Sequence, residues 1–318
     1  MIEKEVVLEK ELYGTLAAPN QEGTYPSILL IAGSGPIDRN GNGPKGKYQT
    51  NLYRDLAHFF TELGFVTFRY DKRGTGKRAG SWMDAGLSDL VSDAKNAGAF
   101  LQAQPNINRV IVCGHSEGTI IATELAASTE LDGCMLLSGG VDNLMDALHH
   151  QRQQAYRELF AMPGWKGWVN RKLKIDEKNE KKTEKMMGKM KRSSADTIRI
   201  GGIKQPARWF REHDSYDTRA ALRHVTCPVF ALHGDKDPLV ESAVLLELAE
   251  LVQGNSEYHI IADMEHGLRV QAEPKSILKT KKLMKVVLKR PLHQEGLAKM
   301  EEWLNKWTEI NVNGHQII

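Results

Sequence analysis

Arg109–Ala127, RVIVCGHSEGTIIATELAA, is the stretch on which the reading of this chain turns. Val110, Ile111, Val112 and Cys113 form a short apolar run, the pattern of a strand buried on both faces. Ile120 to Ala127 has the Ala- and Leu-rich spacing of a helix, with Thr119 near its start. Between them stands Gly114-His115-Ser116-Glu117-Gly118, a G-x-S-x-G. A strand-to-helix junction this short strains its central residue and lifts that side chain clear of the sheet. A Cβ at position 114 or 118 would collide with the neighbouring strand and helix, so glycine is needed at both. Ser116 is thereby expected at a helix N-terminus, its hydroxyl exposed above the positive end of the dipole. The motif is short, and its weight comes from the strand before it, the helix after it and the partners downstream.

Working outward, the segment N-terminal to this elbow alternates strands and helices. Val6-Val7-Leu8 and Tyr13–Ala18 read as two antiparallel strands that close at Pro19. Ser27–Ala32 reads as the first core strand and ends in Gly33-Ser34-Gly35-Pro36. Asn51–Leu63 has helical spacing and is stopped by Gly64. Phe65–Tyr70 reads as a strand, Asp71–Gly76 as a tight polar turn, Leu87–Gln102 as an amphipathic helix, and Gly133–Ser138 as the strand after the elbow. The resulting β-α-β-α-β-α-β order predicts a mostly parallel sheet wrapped by helices, an α/β fold. The polar loop after Pro36 holds Gly41-x4-Gly46-Lys47, a near miss to a phosphate-binding loop. Tyr48 stands where Mg²⁺ ligation needs Ser or Thr, so no nucleotide site is expected.

From Val141 to Arg223 the pattern changes. The segment is too long for a loop in a compact domain and carries helical spacing at Leu144, Leu148, Tyr156, Leu159 and Phe160. Between Lys166 and Arg192 it has eleven Lys or Arg against four Asp or Glu. Residues 141–223 are therefore expected to form a helical cap inserted over the C-terminal edge of a core made of 1–140 and 224–318. The sheet is expected to resume at Pro228–His233, followed by a helix at Glu241–Val252, a strand at Tyr258–Ala262 and a closing amphipathic helix at Leu297–Trp307. Residues 274–291 hold seven Lys or Arg and no acid.

Composition bounds the rest. The 318 residues are 41% hydrophobic, enough to bury a large core. With 43 basic and 40 acidic residues, the net charge of +3 points to neither nucleic acid nor an acidic partner. Cys113, Cys134 and Cys227 are far apart and border apolar runs, which reads as buried free thiols in a reducing compartment. No C-x-x-C or H-E-x-x-H occurs, so neither a metal nor another cofactor is expected. The opening MIEKEVVLEKELYG has the character of neither a signal peptide nor a membrane span, and no run approaches 18 apolar residues. A soluble, cytoplasmic protein is expected, and nothing in the sequence marks an oligomeric state.

A serine hydroxyl is a poor nucleophile at neutral pH and needs a base that a third group orients. The base belongs on a turn at the C-terminal edge of the sheet. His266, in Met264-Glu265-His266-Gly267, meets that condition. His233 reads as a packed strand-end residue, His115 as pointing away from the site, and His149 and His150 as exposed cap residues. The acid belongs on the turn after the preceding strand, where HGDKDPLV offers Asp235 and Asp237. Asp237 is preferred, because the first carboxylate of such a turn usually serves the backbone; Asp235 stays the alternative. The order Ser116, Asp237, His266 is the Ser-Asp-His order of one hydrolase architecture. An oxyanion would be met by the N–H of Glu117 and by one from the glycine-rich turn, Ser34 with Gly35 nearby.

GHSEG, AGSGPIDRNG, YDKRGTGK, HGDKDPLV and MEHGLR together resemble the α/β-hydrolase superfamily, most closely its serine esterase and serine-aminopeptidase-like branch. The resemblance spans about residues 10–140 and 225–310. It implies Ser116 as nucleophile, Asp237 as acid, His266 as base, and a small-molecule acyl ester as substrate. Where this branch usually has His-Gly on the oxyanion strand, the chain has Ala32-Gly33. Peptidase or thioesterase activity on the same triad is the alternative. In a different class stands a non-catalytic protein whose two basic stretches contact a polyanion, although a charge run is usually a solvated face.

Overall fold

The apolar run Val110–Cys113 lies at the heart of an eight-stranded sheet. The computed structural model describes residues 1–19 and 22–308. In chain order its elements begin with β1 (Ile2–Leu8), β2 (Leu12–Ala18), β3 (Tyr25–Ile31), α1 (Leu52–Glu62), β4 (Val66–Tyr70), α2 (Leu87–Gln102), β5 (Ile107–His115), α3 (Glu117–Ser128) and β6 (Gly133–Leu137). Between β6 and the next strand of the sheet come α4 (Leu144–Phe160), α5 (Trp165–Lys172), α6 (Ile175–Arg192), β7 (Ile198–Ile200), β8 (Ile203–Gln205), α7 (Ala207–Ser215) and α8 (Thr218–Leu222). Then come β9 (Val229–Gly234), α9 (Leu248–Leu251), β10 (Ser256–Ile261), α10 (Thr280–Val287) and α11 (Gln294–Thr308).

The strand order is β1-β2-β4-β3-β5-β6-β9-β10. β1 and β2 pair antiparallel, β2 meets β4 antiparallel, and every later neighbour is parallel. Successive residues of β5 feed opposite faces. Val110 and Val112 pack with α2 and α3, while Ile111 and Cys113 pack with Leu56 and Phe60 of α1 and Trp303 and Leu304 of α11. This two-sided burial explains the unbroken apolar run. β3 sits between β4 and β5, so the connections leave it in opposite directions. A crevice opens there beyond the carboxyl ends of the strands, the ligand-binding position of such sheets. All three cysteines are buried and unpaired.

Two expectations need correction. Glu241–Val252 is not one α-helix: Ser242–Glu247 is a 3₁₀ turn, and only Leu248–Leu251 is α-helical. The basic stretch 274–291, to which no element was assigned, contains α10. The helical reading of the insertion also missed the β7–β8 hairpin, whose turn rests on Gly201 and Gly202 at φ +58° and +81°. The Gly41–Lys47 loop is pinned by an Asn42–Gln49 bridge and by the Asp38 carboxylate, which accepts from the N–H of Asn40 and Asn42. It opens no long helix, so it lacks the setting of a phosphate-binding loop. Among the described residues no helix is long and apolar enough to cross a membrane.

The turn after β4 is held from α2. Buried Asp93 accepts from Arg78 at 2.6 and 3.1 Å and from Arg73 at 3.0 and 3.1 Å. This fork grips the segment that carries Lys72 just below the crevice.

Candidate active site

β5 runs into α3 through Ser116, which adopts φ 55°, ψ −123°. A non-glycine residue in this region stores about 1–3 kcal/mol of strain. The bend is enforced from both sides. Ser116 N–H donates to Leu137 O at 2.9 Å, and Thr119 Oγ1 donates to Ser116 O at 2.7 Å. A Cβ on Gly114 would stand 2.1 Å from Gly118 O, and one on Gly118 would stand 2.3 Å from Ile31 O. The two glycines are thus required by contacts with the helix and with β3, as their spacing predicts.

The turns after β9 and β10 bring Asp237 and His266 together. Asp237 is fully buried. Its Oδ1 accepts from Leu239 N–H at 2.7 Å and Val240 N–H at 3.4 Å, and its Oδ2 accepts from His266 Nδ1 at 2.7 Å. An ionised carboxylate only accepts, so His266 carries its proton on Nδ1 and leaves Nε2 as a base. Burial disfavours the charged imidazole, but the Asp237 charge and hydrogen bond outweigh it and raise the His266 pKa above its ordinary value. Burial likewise works against the Asp237 carboxylate, and His266 overcomes it, so the Asp237 pKa falls. Asp235 instead accepts from Asp263 N–H at 2.7 Å and lies 3.6 Å from Lys236. It serves the backbone and does not reach the imidazole.

Ser116 and His266 line one cavity of about 420 Å³. No hydrogen bond joins their side chains among the described residues, so two of the three candidates are in contact and the third lines the same cavity. His233 is a packed residue, its Nε2 bonded to Gly139 O at 2.9 Å. His149 is exposed, and half-buried His150 lies 3.4 Å from Glu241.

His115 corrects the expectation that it points away. It borders the cavity, and its Nε2 bonds the backbone O of His266 at 2.8 Å. Its Nδ1 lies 3.0 Å from Tyr53 Oη, which in turn accepts from Gly33 N–H at 2.7 Å. Burial, helped by the nearby His266, pushes the imidazole pKa down to about 3. His115 is therefore a neutral strut joining the glycine-rich turn, the elbow and the His266 turn.

The N–H of Gly33 is occupied by Tyr53, and that of Ser34 has no hydrogen-bond partner among the described residues. Glu117 is the first residue of α3, where an N–H has no carbonyl four residues back inside the helix. A Cβ on Gly33 would come within 3.0 Å of Ser116 Cβ, which shows how closely this turn approaches the elbow. Ser34 borders the main cavity. Gly35 does not: it faces a smaller neighbouring cavity of about 290 Å³.

The upper walls are apolar. α4 supplies Leu144 and Leu148, the turn after Asp237 supplies Leu239 and Val240, and α10 supplies Leu283 and Val287. α10 was hidden in the sequence by its lysines. The signal was nevertheless there: Thr280, Leu283, Met284, Val287 and Leu288, all lining residues, recur at helical spacing.

This sheet, with its elbow at the carboxyl end of a central strand, is an α/β-hydrolase fold. The family model described as serine aminopeptidase, S33, matches residues 47–273, and the chain belongs to this family. Esterase EstD of Thermotoga maritima is 24% identical over 83% of this chain and 60% of its own length. The lysophosphatidylserine lipase ABHD12 of Xenopus tropicalis is 24% identical over 68% of this chain and 44% of its own. The chain thus spans less than two thirds of either relative. Among solved structures, Est1E of Butyrivibrio proteoclasticus with bound ferulic acid superposes with a TM-score of 0.57 at 16% identity, covering 91% of this chain and 99% of that one. The Pyrococcus furiosus esterase Pf2001 gives 0.52 at 14% identity, covering 96% and 92%.

Proposed function

We propose that the protein is a serine hydrolase of carboxylic esters, with Ser116 as nucleophile, His266 as base and Asp237 as the acid that orients it. One observation carries the reading: a serine on a left-handed elbow shares an apolar cavity with an imidazole whose Nδ1–H is held by a buried carboxylate. Ser116 Oγ attacks the ester carbonyl carbon while His266 Nε2 takes its proton. The oxyanion is met by the N–H groups of Ser34 and Glu117. Collapse expels the alcohol, which takes the proton from His266, and the acyl group stays on Ser116. Water, deprotonated by His266, then releases the acid. Residues 141–223 act as a cap, and with α10 they form an apolar chamber suited to the acyl chain.

The carboxylates around the cavity favour esters over peptides with a free N-terminus. Glu117 is bound by Trp209 and His213, Asp142 by Arg219 at 3.0 Å, and Glu265 by the N–H of Arg269 at 3.1 Å. Each is engaged within the protein, so none is free to meet a substrate amine.

Ser116→Ala is expected to abolish p-nitrophenyl ester hydrolysis and fluorophosphonate labelling. Labelling retained at another serine overturns the assignment. Acyl esters are expected to turn over far faster than aminoacyl arylamides, and the reverse order would make the protein a peptidase.

A further inference from the structure

Behind the oxyanion donors lies a buried charge pair that the triad leaves unused. Lys72, in the turn after β4, is almost wholly buried, and its Nζ donates to Gly33 O. The same ammonium stands 3.6 Å from Glu117 Oε2. Glu117 Oε1 accepts from Trp209 Nε1 and, at 3.0 Å, from His213 Nε2, both on α7. Burial works against the Glu117 carboxylate, yet the Lys72 charge and these hydrogen bonds hold its pKa at about 2. His213 Nδ1 is buried without a partner among the described residues.

A buried ion pair is a poor way to gain stability, since both charges must be taken out of water. Its location gives it another use. In a trans peptide the C=O and the following N–H point in opposite directions. A cation fixed on Gly33 O therefore aims Ser34 N–H at the other side, and Tyr53 holds the same residue by its N–H. Glu117, which anchors that cation by its side chain, offers its own N–H as the second donor. One side-chain pair thus touches the backbone of both donors. Helix α7 grips the pair and is itself tied to α2, where Arg208 Nη1 lies 3.0 Å from Asp89 and Glu212 accepts from Ser88 N–H at 2.7 Å.

We propose that Lys72 and Glu117 are positioning residues for the oxyanion hole, and that Trp209 and His213 make its assembly depend on the seating of α7. The proposal rests on the reading of Ser116 as nucleophile.

The test compares Lys72→Met, Glu117→Gln and His213→Phe with wild type and Ser116→Ala. The readouts are p-nitrophenyl ester kinetics and the affinity for an alkyl trifluoromethyl ketone, which forms a tetrahedral adduct. Lys72→Met and Glu117→Gln are expected to lower kcat about 10²-fold or more, the usual effect of losing one oxyanion donor. His213→Phe is expected to lower it about tenfold, as for one hydrogen bond to a charged group. KM should change little, and ketone affinity should fall in step with kcat/KM. A purely structural defect would not weaken the tetrahedral analogue selectively. If Lys72→Met does not fold, the other two variants carry the test. Folded variants with wild-type kcat, or with a change in KM alone, overturn the proposal while Ser116→Ala remains dead. An active Ser116→Ala brings down the serine reading itself, and the proposal with it.

Discussion

Asp237→Asn isolates the link between carboxylate and imidazole, because the change is isosteric. The amide oxygen can stay where Oδ1 is, accepting from Leu239 and Val240 N–H. The NH₂ group then takes the place of Oδ2, which lies 2.7 Å from His266 Nδ1. Two donors face each other. The ring relieves this by adopting the Nε2–H tautomer, and Nε2 no longer has a lone pair for the Ser116 proton. A wrong-tautomer histidine in such a triad costs about 10⁴-fold in kcat, or about 5 kcal/mol of barrier. With the carboxylate gone, burial is left to dominate, so the pH midpoint of any residual activity should move down. The assay is kcat and kcat/KM for p-nitrophenyl butyrate from pH 5 to 9, with circular dichroism as the check on folding. Asp235→Asn is the control and should behave as wild type, because Asp235 touches the backbone and Lys236 but not the ring. A folded Asp237→Asn that keeps more than about a tenth of wild-type kcat, against the ~10⁴-fold loss expected, refutes the triad assignment.

Three further outcomes follow from the structure. Wild-type kcat/KM should rise with pH and level off, with a midpoint above the ordinary histidine value of about 6.5, because Asp237 raises the His266 pKa against its burial. The stability linkage runs the other way: the contribution of charged His266 is whole below about 6.5 and is lost as pH rises through the folded value, so the urea-unfolding gap between wild type and His266→Gln should shrink on going from mildly acid to alkaline pH. A flat activity profile contradicts the base role. Asp93→Asn removes the charge that Arg78 and Arg73 share in a buried fork. Breaking such a pair costs about 3–5 kcal/mol, measurable by urea denaturation; a change near zero would show that the fork does not hold the turn.

Most of the core was legible because its rules are local. A glycine excluded by a passing backbone, an apolar run buried on two faces, and an acid or histidine just past a strand end all leave marks within a few residues of themselves. Gly114, Gly118, Asp237 and His266 could therefore be named as candidates from the sequence. The choice of Asp237 over Asp235 also came from turn chemistry, and the 2.7 Å contact with His266 agrees with it. The 3₁₀ turn at Ser242–Glu247 was misread as α-helix, and α10 went unread, for the opposite reason. Periodicity could not separate a tight turn from an α-helix in the first, and the lysine run masked a real apolar stripe in the second.

By itself, then, the order of residues determined the sheet, the elbow and the identity of three candidate side chains. Folding decided what surrounds them. Lys72 meets Gly33 across 39 positions, His213 meets Glu117 across 96, and His115 reaches the His266 carbonyl across 151. None of these pairs shares a turn or a helix face, so no spacing rule connects them. They come together because β4, β3 and β5 lie side by side in the sheet, the turn after β4 reaches Gly33 through Lys72, and α7 reaches Glu117 through Trp209 and His213.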